Sequence, residues 1–408
     1  MLYLGIILSL LMLAYYYDYK GCIKYKNEFY YFTLFIFIIV GGLAYRLGID
    51  TTRYIQYYDE IPNIFKIFKT DLSYNIYFDR WGKGFILLFS LCKTICSEYW
   101  FFQLIHAIIV NTIVFFFIRT NTKNIFLGIL IYFLLQYFLF NFEVLREALS
   151  VCMLLIGWKY FLNNKWNKYY ICSFLAISFL ISGIITLIFP IFYLQIFRNI
   201  FRLGIPFIIT CIILFASSLV ISKIFFEYLS LIELADIDSY ANTYGSSSLG
   251  ESMNLGITGY TYYFLRTIFF PIFFFFIYLW NKKYNVFSFS PSYNKKMEYF
   301  LCWYVYITLI SFGITIFSRF NNYVALFAII CIVDGVFINI KIFKKKLKLS
   351  FTLWMLILSP YLLILTYKYF QTDANGIYPK YYRYYPYESY FNPQMNKIRE
   401  KSFLLMSN

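Results

Sequence analysis

The sequence predicts an all-α fold, a polytopic membrane bundle with about 12 transmembrane helices. Hydrophobic residues make up 61% of the 408 positions and charged residues only 14%, whereas a soluble domain carries roughly 25% charged residues. The mean hydropathy of +0.63 excludes a soluble globular protein. Unbroken apolar runs such as 203–225 and 264–280 match the roughly 17–25 residues that cross a hydrocarbon core. Lipid offers no partner to backbone N–H and C=O groups, so these runs are expected to be helical.

Apolar segments along the whole chain supply the predicted crossings. In chain order they are 1–16, 29–45, 99–118, 124–141, 144–162, a hairpin within 169–195 counted as two, 203–225, 263–280, 297–317, 321–340 and 349–369. The segment 84–96 is apolar but short and contains Lys93. We expect this segment to be re-entrant or interfacial, as is tolerated beside a protein cavity.

Basic residues set the predicted orientation. Lysines cluster in the loops after the first and fifth crossings and in two later loops: Lys20, Lys24, Lys26, Lys159, Lys165, Lys168, Lys282, Lys283, Lys295, Lys296, Lys341, Lys344, Lys345, Lys346 and Lys348. All these loops lie inside if both termini lie outside, which satisfies the positive-inside rule. The net charge of +16 therefore indicates loops held against an anionic leaflet, and no nucleic acid is expected as a partner.

This topology predicts a single integral membrane domain over residues 1–369. Two loops, 46–83 and 227–262, and a C-terminal tail, 370–408, then lie on the outer face.

The first candidate site is the start of the first outer loop. Gly48 permits a tight turn where the chain leaves the membrane, and Tyr54 lies six residues further along the chain. Asp50 is then held at the interface between Arg46 and Arg53, where two guanidiniums favour its ionised form. A capped helix start with a surface ion pair is the alternative interpretation.

The second candidate site is the stretch 141–150. Glu143, Glu147 and Ser150 follow helical i, i+4, i+7 spacing, and Arg146 adjoins that face. Polar groups on one side of an apolar helix are expected to face the bundle interior. A buried structural ion pair remains the alternative.

Three arginines at the ends of apolar segments predict a site for an anionic lipid headgroup. Arg146 opens one segment, Arg266 opens another, and Arg319 closes a third, just before Tyr323. A charge near the bilayer interior is costly and usually serves a ligand or a pathway. The planar donor fork of arginine suits phosphate oxygens better than lysine does.

The tail is rich in tyrosine around Arg383 and Pro386, and Tyr387 follows directly. These rings can stack on sugar faces, or they can form an interfacial aromatic belt.

No metal site or other cofactor is expected. Cys92 and Cys96 are one helical turn apart, but the chain contains a single histidine and no second cysteine pair nearby. That histidine, His106, lies within an apolar helix and is expected to be a packed core residue rather than a ligand.

At these residues the chain resembles the EpsG-type family, whose members are related in role to the Wzy polymerases of O-antigen and capsule. The matched positions are Arg46, Gly48, Asp50 and Tyr54, then Arg146-Glu147-Ala148-Leu149, then Arg319 and Tyr323, and finally Pro386-Tyr387. The chain departs from the family pattern twice. Lys83 stands where the family often has an acidic residue, and Leu180 stands where it often has a histidine.

The resemblance implies a glycosyl transfer at the outer face of a bacterial plasma membrane. A growing glycan on undecaprenyl diphosphate would pass to a sugar hydroxyl of another lipid-linked repeat unit, with the lipid diphosphate as leaving group. Membrane lipids, and the flippase and chain-length regulator of the same pathway, are the implied partners.

On this hypothesis each candidate residue receives a role. Arg146, Arg266 and Arg319, with Arg46, would clamp the diphosphate, and either Asp50 or Glu143 would act as base. The remaining candidates for substrate binding are Arg53, Tyr54, Glu147, Tyr323, Arg383 and Tyr387.

A flippase of the same lipid-linked unit is the main alternative, and a glycan ligase is the next. A flippase would be expected to show paired structural repeats, and the sequence contains no convincing internal repeat.

Overall fold

The computed structural model describes most of the N-terminal half of the chain and shorter parts of the remainder. The described residues are 2–48, 50–67, 69, 81–197, 199–202, 204–217, 265, 291–313, 317–343, 359–360, 362–364, 366, 372–373, 381–382, 384 and 387–393. These residues are helical, as predicted, except for connections and one pair of two-residue strands. The chain divides into two compact units, Met1–Ile184 with Phe351–Asn408, and Ile185–Ser350. The single membrane domain over 1–369 with a separate tail stays a prediction.

Nine helices of the first unit lie wholly within the described residues, and a further helical stretch is described only at 359–360, 362–364 and 366. The nine are α1 Leu2–Tyr19, α2 Lys26–Gly42, α3 Thr51–Glu60, α4 Ile64–Ile67, α5 Lys83–Ile95, α6 Tyr99–Asn121, α7 Ile125–Phe142, α8 Leu145–Leu162 and α9 Trp166–Phe179. A 3₁₀ turn, Ile181–Ile184, follows α9, and the strands β1 Thr372–Asp373 and β2 Tyr381–Tyr382 pair antiparallel.

The second unit contains four helices within its described residues. They are α10 Ile185–Phe192, α11 Ile205–Ser217, α12 Pro291–Gly313 and α13 Ser318–Phe343. Lys295 and Lys296 lie in the first turns of α12 rather than in a loop, because the helix already begins at Pro291. Proline is favoured at the first helical position, where its fixed φ suits the helix and its missing N–H is not needed.

Three helices of the described part are long and apolar enough to cross a membrane. They are α1 with 18 residues, α6 with 23 and α7 with 18. Their positions match the predicted crossings 1–16, 99–118 and 124–141 to within a few residues. Helices also occupy the predicted crossings 29–45, 144–162, 297–317 and 321–340. The crossing at 263–280 and most of 349–369 lie outside the described residues, so the total of about 12 crossings stays a prediction.

Helix α5 covers the segment expected to be re-entrant or interfacial. Its 13 residues extend about 20 Å at 1.5 Å per residue, which is less than the roughly 30 Å of a hydrocarbon core. The length agrees with the sequence interpretation, whereas its depth in the membrane stays a prediction.

The segment 169–195 is broken, as a hairpin of two short pieces requires. Helix α9 ends at Phe179, and Leu180 has an extended backbone with φ −154° and ψ 133°. The 3₁₀ turn follows directly. Whether each piece crosses the membrane stays a prediction.

The core of the first unit is held by buried amides and aromatic hydroxyls between α2, α6 and α7. Asn111 of α6 donates its Nδ2–H to Asn141 Oδ1 at 2.9 Å and accepts a hydrogen bond from the Tyr132 hydroxyl at 3.1 Å. Tyr137 donates to the carbonyl of Phe37 at 2.7 Å. Away from water such hydrogen bonds lock the relative positions of the helices, and Asn141 carries this packing to the end of α7.

The helix connections of the first unit gather at two opposite ends. At one end Lys26 Nζ lies 3.5 Å from Asp18 Oδ1 and donates to the Lys123 carbonyl at 3.3 Å. Arg119 donates to Asn27 Oδ1 at 3.1 Å, beside the predicted inside lysines that follow α1. We name this the basic end. The starts of α3, α6 and α8 lie at the other end, named the site end.

Candidate functional site

The first two candidate motifs meet at the site end of the first unit. Gly48 has φ +83°, and a Cβ placed on it would lie 2.6 Å from the carbonyl oxygen of Phe142. The hydroxyl of Thr51 donates to that same carbonyl at 2.8 Å. Only glycine combines this backbone with so close an approach. The start of the predicted first outer loop is therefore fastened to the connection between α7 and α8.

The tail brings a third motif to the same place. The Tyr45 N–H donates to the Glu388 carbonyl at 2.8 Å, and the Tyr390 N–H donates to the Leu43 carbonyl at 3.1 Å. The ring of Tyr384 lies 6.3 Å from that of Phe142. Tyr384 and residues 387–390 thus lie along the exit of α2, next to the first motif.

The residues of the first motif differ in exposure. Asp50 is half-buried at the N-cap position of α3, but its side chain makes no capping hydrogen bond. The guanidinium carbon of Arg46 lies 5.1 Å from the Tyr45 ring centre. Arg53 is exposed, and Tyr54 is buried with its ring 5.7 Å from Trp81. The alternative interpretation expected a capped helix start here. Helix α3 does begin after Asp50, but the Asp50 carboxylate does not cap it.

Arg146 is the most distinctive cation of the site end. Its guanidinium carbon lies 5.1 Å from the ring centre of Trp81, which is within the range of a cation–π interaction. The Nε atom of Arg146 is buried and meets no hydrogen-bond acceptor in the described part of the chain. Trp81 is only 5% exposed and packs edge-on against Tyr57 and Phe85, both at 5.2 Å. A rigid aromatic layer therefore fixes the position of the guanidinium.

The acidic residues of the second motif, which flank Arg146 in the sequence, are buried. Glu147 is 2% exposed and Glu143 8% exposed. The expected i, i+4, i+7 helical spacing is wrong for Glu143, since α7 ends at Phe142 and Glu143 has φ −122° and ψ −68°. Helix α8 then begins at Leu145. Ser150 donates to the Ala176 carbonyl at 2.8 Å, which packs α8 on α9.

The two departures from the family pattern lie on adjoining segments. A Cβ on Gly82 would lie 2.3 Å from the Ser178 carbonyl oxygen and 2.6 Å from that of Phe179. Lys83 follows Gly82 and is exposed, whereas Leu180 follows Phe179 and is buried. Both substitutions therefore alter the same region, at the start of α5 and close to Trp81.

Some candidate residues are not placed at this site. Arg319 lies half-buried in the first turn of α13 and Tyr323 is buried one turn later, both in the second unit. Arg266 and Arg383 lie outside the described residues. Tyr387, by contrast, lies in the part of the tail that reaches the site end, with its ring 6.2 Å from that of Tyr3, and burial raises its pKa to about 12. Tyr387 therefore keeps its hydroxyl proton at physiological pH.

Two residues of the site end were missed as functional candidates by sequence reasoning. Trp81 begins a Trp-Gly-Lys-Gly stretch, a combination of an aromatic residue and glycines that signals a close approach of two segments. His106 lies fully buried in α6 and contacts the start of α8. Its only sequence signal is that it is a single ionisable residue within a long apolar helix.

The fold and this site define a class of protein, an all-helical polytopic membrane protein with a charged and aromatic site at one end of its first unit. The model of the EpsG family matches residues 29–389. The chain belongs to the EpsG family, a family of the membrane polysaccharide polymerase type. This match confirms the resemblance found in the sequence motifs. No curated protein and no solved structure matches the chain.

Proposed function

We propose that this chain is a glycosyltransferase-type polymerase that joins undecaprenyl-diphosphate-linked oligosaccharide repeat units. The product is O-antigen, capsular polysaccharide or exopolysaccharide, formed at the outer face of a bacterial plasma membrane. The flippase and the chain-length regulator of the same pathway are its proposed partners. Family membership supports the class of reaction, and the site end of the first unit supports the chemistry.

The observation that carries the proposal is Arg146 held over Trp81. In the transfer, the acceptor hydroxyl oxygen forms a bond to the anomeric carbon of the donor glycan. The bond from that carbon to the diphosphate breaks, and undecaprenyl diphosphate leaves with the electron pair. A pre-placed guanidinium stabilises the developing negative charge best where water is scarce. Its planar fork matches two phosphate oxygens.

The acceptor hydroxyl must also lose its proton, and a carboxylate within hydrogen-bond reach is the usual base. Glu143 and Asp50 are the candidates, and the Thr51 hydrogen bond to Phe142 draws their two segments together. We propose Glu143 as the base because it is the more buried of the two and lies three residues from Arg146. Asp50 then orients Arg46 and Arg53 toward the anionic substrate.

The outer-face location rests on the separation of charges along the first unit. The predicted inside lysines that follow α1 lie at the basic end, beside Lys26 and Arg119. By the positive-inside rule this end faces the cytoplasm, so the site end faces outward. Arg266, Arg319, Tyr323 and Arg383 stay proposed substrate-binding residues.

The test is the length profile of surface polysaccharide in cells that lack the gene and carry a variant copy. Arg146→Ala should abolish the long-chain ladder while single-repeat material stays on the surface. Arg146→Lys keeps the charge without the fork and should lower polymerisation by about 10²-fold, the scale of losing one pre-placed donor.

Arg119→Ala is the matched control, because Arg119 also lies over an aromatic ring, Tyr30 at 4.9 Å, but at the basic end. It should leave the ladder intact. Loss of every exported repeat in the gene deletion would indicate a flippase, and a normal ladder with Arg146→Ala would overturn the proposed clamp.

A further inference from the structure

Within the described part of the chain His106 makes one hydrogen bond, and that bond holds the backbone immediately before Arg146. The Nε2 atom lies 3.0 Å from the carbonyl oxygen of Leu145. A carbonyl can only accept, so Nε2 carries the proton and donates. The other ring nitrogen, Nδ1, is buried and has no hydrogen-bond partner among the described residues. The imidazole is therefore oriented by the Leu145 carbonyl.

This bond is not needed to satisfy the backbone of α8. A carbonyl in the first turn of a helix already accepts the N–H four residues later. What the start of α8 lacks is a cap, since Val144 at the N-cap position makes no side-chain hydrogen bond. His106, from the neighbouring helix α6, fixes the first peptide of α8 from outside, and Arg146 is the next residue.

His106 also packs against the aromatic layer that contains Trp81, the ring on which the Arg146 guanidinium lies. Its ring centre lies 5.9 Å from that of Phe102. Phe102 lies 5.7 Å from Phe85, and Phe85 lies 5.2 Å from Trp81. The same side chain thus contacts the backbone that carries Arg146 and the layer that positions Trp81.

We propose that His106 is a positioning residue for Arg146, a role that rests on the proposed function. It fixes the first peptide of α8 so that the guanidinium meets the diphosphate oxygens with its fork aligned. It does not touch the substrate or transfer a proton to it. A misplacement of about 1 Å in such a group can lower a rate by roughly 10²-fold, so a buried hydrogen bond at this point has a direct effect on transfer.

The test is a double-mutant cycle on the polymerisation rate, measured in membrane vesicles with lipid-linked repeat units and normalised to the amount of chain in the membrane. His106→Leu removes the donor at similar volume and should lower kcat by about tenfold or more with little change in KM. In an Arg146→Lys background, where the fork is already lost, the same change should lower kcat by less than about twofold. His106→Gln keeps an N–H donor and should retain most of the rate.

Gln103→Leu is the matched control. Gln103 is buried one turn earlier on α6 and donates to the Gly41 carbonyl at 2.9 Å, away from Arg146. Its effect on the rate should be the same in both backgrounds. An equal loss from His106→Leu in both backgrounds would overturn the positioning role and leave the polymerase intact. A wild-type chain that forms no polymer would overturn the proposed function and this role together.

Discussion

At the residue scale, the chemistry depends on a few buried polar side chains whose surroundings are aromatic. Arg146 contacts Trp81, and two carboxylates, Glu143 and Glu147, are buried close to it in sequence. Burying a charge is unfavourable unless it has a partner or a ligand. The start of α8 thus brings one guanidinium and two carboxylates into a short stretch of chain at the site end.

The first prediction at this scale separates the two candidate bases. Glu143→Gln keeps the size and polarity of the side chain but removes its basicity, and should lower kcat by about 10²-fold or more. Asp50→Asn should have a smaller effect, about tenfold, and mainly on KM, because Asp50 acts on substrate binding. Polymerisation rates in membrane vesicles measure both. Glu60→Gln, at an exposed position of α3, is the control. A larger loss of kcat from Asp50→Asn than from Glu143→Gln would reverse the assignment.

At the element scale, the site is made by close packing of short connections rather than by long helices. Gly48 and Thr51 fasten the predicted outer loop to Phe142. Lys93 of α5 donates to the carbonyls of Tyr58 and Asp59, both at 2.7 Å, and so caps the end of α3. Helix α3 is thereby fixed at both ends, by Phe142 at its start and by Lys93 at its end.

Gly48→Ala tests this fastening. The left-handed backbone costs an L-residue roughly 1–2 kcal/mol, and the new methyl group would lie 2.6 Å from the Phe142 carbonyl oxygen. We expect polymerisation to fall strongly, because the loop must move away from Phe142. Gly21→Ala is a matched control, since Gly21 has φ +77° but no atom within 4 Å of an added Cβ. Gly21→Ala therefore has the unfavourable backbone conformation without a steric clash, and it should leave polymerisation nearly normal. Equal effects of the two variants would contradict the fastening.

The sequence predicts features of the fold and of the site that depend on neighbouring residues. It does not predict contacts between residues far apart in the chain. Helices α6, α7 and α8 were predicted closely, because an apolar run and the charges that flank it fix a helix locally. The π-helical turn Phe133–Tyr137 inside α7 was not predicted, since no local residue pattern signals it. The family motifs marked Arg146. Its contact with Trp81 and the contact of His106 with Leu145 depend on how α5, α6 and α8 pack, which the sequence of one segment does not encode.

At the scale of the whole molecule, the proposed reaction requires the first unit to have a fixed orientation. The lysines after α1 and the contacts of Lys26 and Arg119 define the basic end, and Arg146 lies at the other. Moving several lysines across a membrane is strongly unfavourable, so this distribution should specify one orientation during insertion. The lipid-linked substrate would then approach from the outer leaflet, with its diphosphate at the depth of the start of α8.

Thiol labelling in intact cells tests that orientation. Lys24→Cys places a thiol at an exposed position of the basic end, and Glu60→Cys places one at an exposed position of the site end. In a chain whose native cysteines Cys22 and Cys96 are replaced by serine, a membrane-impermeant maleimide should label Glu60→Cys in intact cells. It should label Lys24→Cys only after the membrane is permeabilised. The reverse pattern would put the site end in the cytoplasm, where a nucleotide-sugar donor is accessible. The proposed use of a lipid-diphosphate donor at the outer face would then be wrong, even though the contacts around Arg146 would stay the same.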